Sequence, residues 1–434
     1  MFRFVEYPVV PHSETRQLRP SAVARNSIEF VHVNARFESP RLSDSRAESR
    51  HVSPYYPPVP SPVAFDPHAS PVRNSYEASL FKYFMTSLSP WFDFCDPHRH
   101  FYTYIAKSAH TNPILLYAVL TVSARHQRSN SERERYVADQ YQQHCLESLI
   151  LALSDSEKTL NESLFASAVI LRLSEEMTEP SPREIVNSHT VSAQILIRIK
   201  EGNICTSSFT DAALIVVLRQ EIFVANLTQR PVGSITDHCN IDTSLEPTSE
   251  AMWTYRIIVH AAKITDFAYG DITQRTKERW NALAQYVDDW EQQRPDFFVP
   301  IYSEPEHPPS SFLPKIWYCN DCHIAARMYL ELCRILLLAS DPDASTLRIG
   351  RLRRSRNNDD MIRTHVRVIC GVALTNAEHY VTRTIAGMVI AMCGELFHDP
   401  GETRVLLDLL SVAELHLGWP CLKLKEDLRE FWRL

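Results

Sequence analysis

The sequence predicts an all-α fold, a multi-helical bundle of about ten or more helices preceded by a disordered N-terminal arm. Three observations predict it. Glycine is scarce, with only 9 among 434 residues, so the repeated Gly-rich strand–turn–helix units of a doubly wound α/β enzyme have no material. From about Tyr76 onward, apolar residues recur at helical spacing, and no alternating run marks a strand. Before that point the chain holds 11 of its 27 prolines and no cysteine.

Residues 1–75 form the arm. Prolines at 8, 11, 20, 40, 54, 57, 58, 60, 62, 67 and 71 interrupt a Ser- and Arg-rich stretch without apolar period. Such a segment buries too little apolar surface to offset the entropy of ordering it. Its start, Met1-Phe2-Arg3-Phe4, lacks the apolar stretch of a signal peptide and soon meets Pro8.

Residues 76–434 form the helical domain. Asn112-Pro113 reads as an N-cap followed by proline at the first helical position, and Leu115, Ala118, Val119 and Val122 then share one face. A second helix starts near Asn161, with Leu164, Ala168 and Leu171 aligned, and stops at Pro180-Ser181-Pro182. Leu214, Val217, Leu218, Ile222 and Ala225 mark a third, from about Asp211 to Gln229. Trp280, Leu283, Val287 and Trp290 mark another. The stretch 295–314 carries six prolines and reads as a long surface loop. Helices are expected after it near 315–339, 360–378, 380–397, 402–417 and 422–433. No strand and no fixed-period repeat is expected.

Charge and cysteine usage narrow the function. A net charge of -7 argues against a general polyanion binder, so any nucleic-acid contact would need a local basic patch. The longest apolar run, Ile385–Gly394, falls well short of the roughly 18–20 residues that span a bilayer. The 10 cysteines lie scattered through helical sequence, which suits buried thiols better than a disulfide framework.

Few motifs carry chemistry. Cys319-Asn320-Asp321-Cys322, with His323 and Cys333 nearby, has half the spacing of a zinc site. No second pair is close, and one helical run from Trp317 to Leu338 would make these residues neighbours on a face. Asp288-Asp289-Trp290-Glu291-Gln292 and Asp359-Asp360-Met361-Ile362-Arg363 resemble openings of the aspartate-rich motif that holds magnesium against a diphosphate. Both lack the fifth acid and read as solvated helix acids. His98, Arg99 and His100 beside Asp93 and Asp96 read as a salt-bridged turn. Nucleophile elbow, zinc-peptidase, phosphate-loop and dinucleotide patterns are missing. No catalytic, metal or cofactor residue is therefore assigned. The basic run Arg348, Arg351, Arg353, Arg354 and Arg356, followed by Arg363 and Arg367, is either a solvated helix start or a nuclear-import or phosphate-contact patch.

An ordered set of segments resembles the fungal-specific transcription factor domain of the zinc-cluster regulators, over roughly 76–434. The segments are 89–101 (SPWFDFCDPHRHF), 112–126 (NPILLYAVLTVSARH), 141–146 (YQQHCL), 168–177 (AVILRLSEEM) and 218–225 (LRQEIFVA). Gly418-Trp419-Pro420 and Leu428-Arg429-Glu430-Phe431-Trp432 follow. The resemblance implies an all-α regulatory module, in which Arg219 and Glu221 join an interior polar network. It also implies a separate binuclear zinc cluster of six cysteines, yet the first cysteine here is Cys95. The expectation is a nuclear, non-enzymatic regulator, of the kind that accompanies secondary-metabolite gene clusters. It would act through other transcription regulators, such as a zinc-cluster-bearing partner, or by sensing a small-molecule effector, with direct DNA contact left open. The alternatives are an all-α enzyme of a metabolite pathway, and a truncated gene model of a DNA-binding activator.

Overall fold

Most helices begin at side-chain caps, because the first backbone N–H groups of a helix have no partner within it. The computed structural model describes residues 72–127, 132–153, 161–177, 207–239, 241–345 and 349–433; the arm to residue 71, Pro180-Ser181-Pro182 and Arg348 lie outside them. Asn74 opens α1 (Ser75–Tyr83), whose path continues through a π-turn to α2 (Ser89–Phe92). Then come α3 (His100–Ser108), α4 (Pro113–His126), α5 (Glu132–Leu153) and α6 (Glu162–Glu176). Asn112 accepts from Leu115 N and Asn161 from Leu164 N, so both predicted caps operate. Ser207 caps α7 (Ser208–Thr228), Ser249 caps α8 (Glu250–Tyr269) and Thr276 caps α9 (Lys277–Gln293).

The segment 295–314, expected as a long surface loop, carries a short strand that the sequence does not mark. Its residues Tyr302–Glu304 form β1, which pairs antiparallel with β2 (Lys315–Trp317) in the register Tyr302↔Trp317. The hairpin is anchored from one side: Thr375 Oγ1 donates to Ile316 O at 2.7 Å, and Asn376 Oδ1 accepts from Tyr318 N at 3.1 Å. These strands are three residues long, too short for alternation to register in sequence. They also displace the following helix, α10 (Asp321–Ala339), which starts six residues later than expected. The last elements are α11 (Pro342–Ser345), α12 (Arg351–Thr375), α13 (Val381–Cys393), α14 (Pro400–Leu417) and α15 (Leu422–Trp432). No helix among the described residues is long and apolar enough to cross a membrane.

All described residues fall within one unit, Pro58–Leu434, with one core cluster running from Leu80 to Leu428. In α4 every residue from Leu115 to Ala124 is buried, because α1, α5 and α6 all pack on it. The aromatics of the 89–101 segment fill the corner beside it. Phe92 stacks on Phe101 with ring centroids 5.0 Å apart, and Phe101 meets Phe209 of α7 at 5.1 Å. The acids there are helix-start devices. Asp93 accepts from Phe101 N and Tyr102 N, and Asp96 accepts from His100 N while facing His100 Nδ1 at 2.9 Å. His126 ends α4 as a clasp: its Nε2–H donates to His416 O and its Nδ1 accepts from Tyr83 Oη, both at 2.7 Å.

The C-terminal helices close over the same core. Gly418 ends α14 in the left-handed region at φ 69°, a conformation that favours glycine. The turn lays Trp419 over Gly387, where a Cβ would come within 2.4 Å of the indole. Trp419 also meets Phe223 of α7 edge-on at 5.4 Å.

One buried histidine makes stability depend on pH. His260 of α8 stacks on Tyr286 at 4.2 Å, and its Nε2–H donates to Leu283 O at 2.9 Å. Burial lowers its pKa from 6.5 to about 4, with the Leu283 carbonyl opposing and Lys263 adding to the shift. Between those values the unfolded chain binds a proton that the folded chain refuses, so stability falls as pH drops through that window. Asp93 has the opposite sign, since burial raises its pKa to about 6; the test therefore compares two proteins rather than one profile. Between neutral pH and pH 4, wild type should lose about 3 kcal/mol more than His260→Phe in urea denaturation. Equal losses would remove His260 from the account.

Candidate functional site

A buried polar network that includes Glu221, but not Arg219, lies where α6 meets α7. Arg172 and Glu221 are 4% and 2% exposed, and their Nη1 and Oε1 lie 2.5 Å apart. Glu221 Oε2 also receives Arg230 Nη2 at 2.9 Å, and Arg172 Nε lies 3.6 Å from Glu176. Burial works against ionisation of Glu221, but the two guanidiniums outweigh it and hold the carboxyl below the usual range. Each carboxylate oxygen thus faces one guanidinium. This is a structural triad.

Arg219 lies two residues away on α7 and faces elsewhere. It is 7% exposed. Its Nη2 donates to Trp91 O at 3.1 Å and Phe92 O at 3.0 Å, and its guanidinium stands over the Phe94 ring at 5.7 Å. With Trp91, Tyr329, Ile385 and Met388 it lines a partly open cavity of about 90 Å³. The two residues named together in sequence therefore serve different places: Glu221 the triad, Arg219 the cavity wall. Nothing local in the sequence marks this cavity, because its walls come from α2, α6, α7, α10 and α13.

The basic run opens α12. Arg351, Arg353 and Arg356 are exposed and make no ion pair among the described residues. Arg354 is tied to Asp341, Nε to Oδ2 at 2.7 Å. Arg363 and Arg367 are also engaged, with Asp360 and Glu402. Having no acid in its first turn, α12 adds its dipole's positive end to these arginines. Arg351, Arg353, Arg354 and Arg356 line an open groove with Asn357 and Asp360.

The other motifs separate. Cys319 is exposed and precedes α10, so the three cysteines do not share one helix as expected; β2 occupies the start of that run. Cys322 is buried and donates its S–H to Cys95 O at 3.5 Å, and Cys333 is buried further along α10. Among the described residues no group of three His, Cys, Asp or Glu could hold a metal. Asp289 accepts from Gln285 Nε2 at 2.8 Å on α9, and Asp360 pairs with Arg363. These aspartates occupy ordinary helix-surface positions.

What the fold and its buried groups define is an all-helical module organised around packing and an internal ion triad. The family model of the fungal specific transcription factor domain matches residues 79–225, from α1 to the last turns of α7. That stretch holds the aromatic corner, the His126 clasp, Arg172, Arg219 and Glu221. No curated protein and no solved structure matches the chain.

Proposed function

We propose that this chain is a nuclear transcriptional regulator, without catalytic activity, that controls a secondary-metabolite gene cluster through protein partners or a small-molecule effector. The observation that carries the reading is the family match over 79–225. The net charge of -7 favours recruitment by a partner, such as a zinc-cluster-bearing regulator, over general phosphate binding. The exposed arginines of α12 are the surface offered for nuclear import or for a phosphate contact. Chromatin occupancy of the tagged full-length chain tests this. Recruitment to promoters, with no footprint by the purified chain on the same DNA, is the expected result. Absence from chromatin would end the regulatory reading, and a strong intrinsic footprint would end the partner route.

A further inference from the structure

Arg219 has an unusual balance of partners. A guanidinium cannot shed its charge in a protein, and a buried charge is ordinarily paired. Among the described residues no carboxylate pairs with Arg219; its acceptors are the two carbonyls of Trp91 and Phe92. The surrounding acids are engaged elsewhere. Asp93 and Asp96 hold the start of α3, Asp321 accepts from Cys95 N, and Glu221 and Glu176 face Arg172. The Nε and Nη1 atoms of Arg219 are buried without a hydrogen-bond partner, as are Trp91 Nε1 and Gln220 Oε1. All four belong to side chains that line the cavity of about 90 Å³, and the rest of the wall is largely apolar, including Val216, Phe223, Ile385 and Met388.

We propose that this cavity binds a small carboxylate with a short apolar body, its anionic end on Arg219 and Trp91. A hydroxyl on the ligand would donate to Gln220 Oε1. The size sets the class: the space is smaller than the roughly 150 Å³ cavity that admits benzene, so only a few non-hydrogen atoms fit inside. A longer tail would leave through the open side. Glu176 stands on the same wall and lies 3.6 Å from Arg172 Nε; the anionic end is assigned to Arg219 and Trp91 because those are the wall's unpartnered donors. The site stands on geometry; only its role as an effector site rests on the regulatory reading.

Calorimetric titration of the purified full chain with butanoate, 3-hydroxybutanoate and the neutral isostere butanamide tests the proposal. Both acids should bind saturably, the hydroxy acid more tightly, and the amide about tenfold more weakly or not at all. Arg219→Gln should abolish the preference for acid over amide. Because Arg219 also holds two backbone carbonyls, Thr384→Phe serves as the second variant. Thr384 is half-buried at the cavity wall, and the phenyl ring should block both acids while leaving Arg219 and the thermal midpoint in place. No saturable binding of either acid, equal binding of the amide, or unchanged binding in folded Thr384→Phe would each overturn the assignment. These outcomes are independent of chromatin occupancy, so a failure of one reading is not a failure of the other.

Discussion

Glu221→Gln is expected to cost about 3–5 kcal/mol, because it strands a buried guanidinium whose charge no longer has a counterion. Arg172 is 4% exposed and cannot reach water, whereas Arg230, with its side chain 35% exposed, can turn outward. A loss of that size approaches the whole stability of many domains, so the variant should unfold at a far lower urea midpoint or fail to accumulate. The paired replacement Arg172→Met with Glu221→Leu separates charge from packing. Removing both charges spares the desolvation penalty, and the double variant should recover most of the loss. A Glu221→Gln protein within about 1 kcal/mol of wild type would show that the triad does not hold α6 to α7.

The second large effect is expected at Trp290. It is 1% exposed, meets Trp253 at 6.0 Å and Phe298 at 6.2 Å, and donates from Nε1 to Trp253 O at 3.1 Å. Only Val287 and Trp290 of α9 are fully buried, so much of that helix's attachment rests on one indole. Trp290→Ala should cost about 3–5 kcal/mol by leaving a cavity. Trp290→Phe, which keeps most of the bulk and loses the hydrogen bond, should cost much less. Native-state hydrogen exchange should locate the damage. Faster exchange confined to 277–293 is the expected pattern for Trp290→Phe, and protection unchanged there in both variants would refute the anchoring role.

Helices with one apolar stripe and a polar cap are legible in the sequence. Asn112, Asn161 and the stripe through Leu214 and Ile222 placed α4, α6 and α7 to within a few residues. The sequence does not mark the helices α1, α3, α5 and α8; α8 is buried on several sides, and Trp253, Ile257, Ile258, Val259, Ala261 and Ile264 leave no polar face to set a period. The opposite failure occurred in α12. Its first turns, Arg351 to Arg356, are exposed on nearly all sides, so the apolar signal began only at Ile362. The family resemblance also implies that Arg219 and Glu221 belong to an interior network. It does not reveal that they part company, because that depends on Trp91, Arg172 and Tyr329, which are distant in the chain.

The return of the C-terminal turn onto α7 bears on where the folding unit ends. The segment similar to the fungal domain stops at residue 225, inside a helix that runs to Thr228. Phe223 is covered by Trp419, and His126 is clasped to His416. A fragment cut at 225 would therefore bare an apolar flank that the last helices normally seal. The described residues from Asn226 to Arg433 belong to the same folding unit as the matched segment, and any excision of that segment would have to carry its C-terminal cover along.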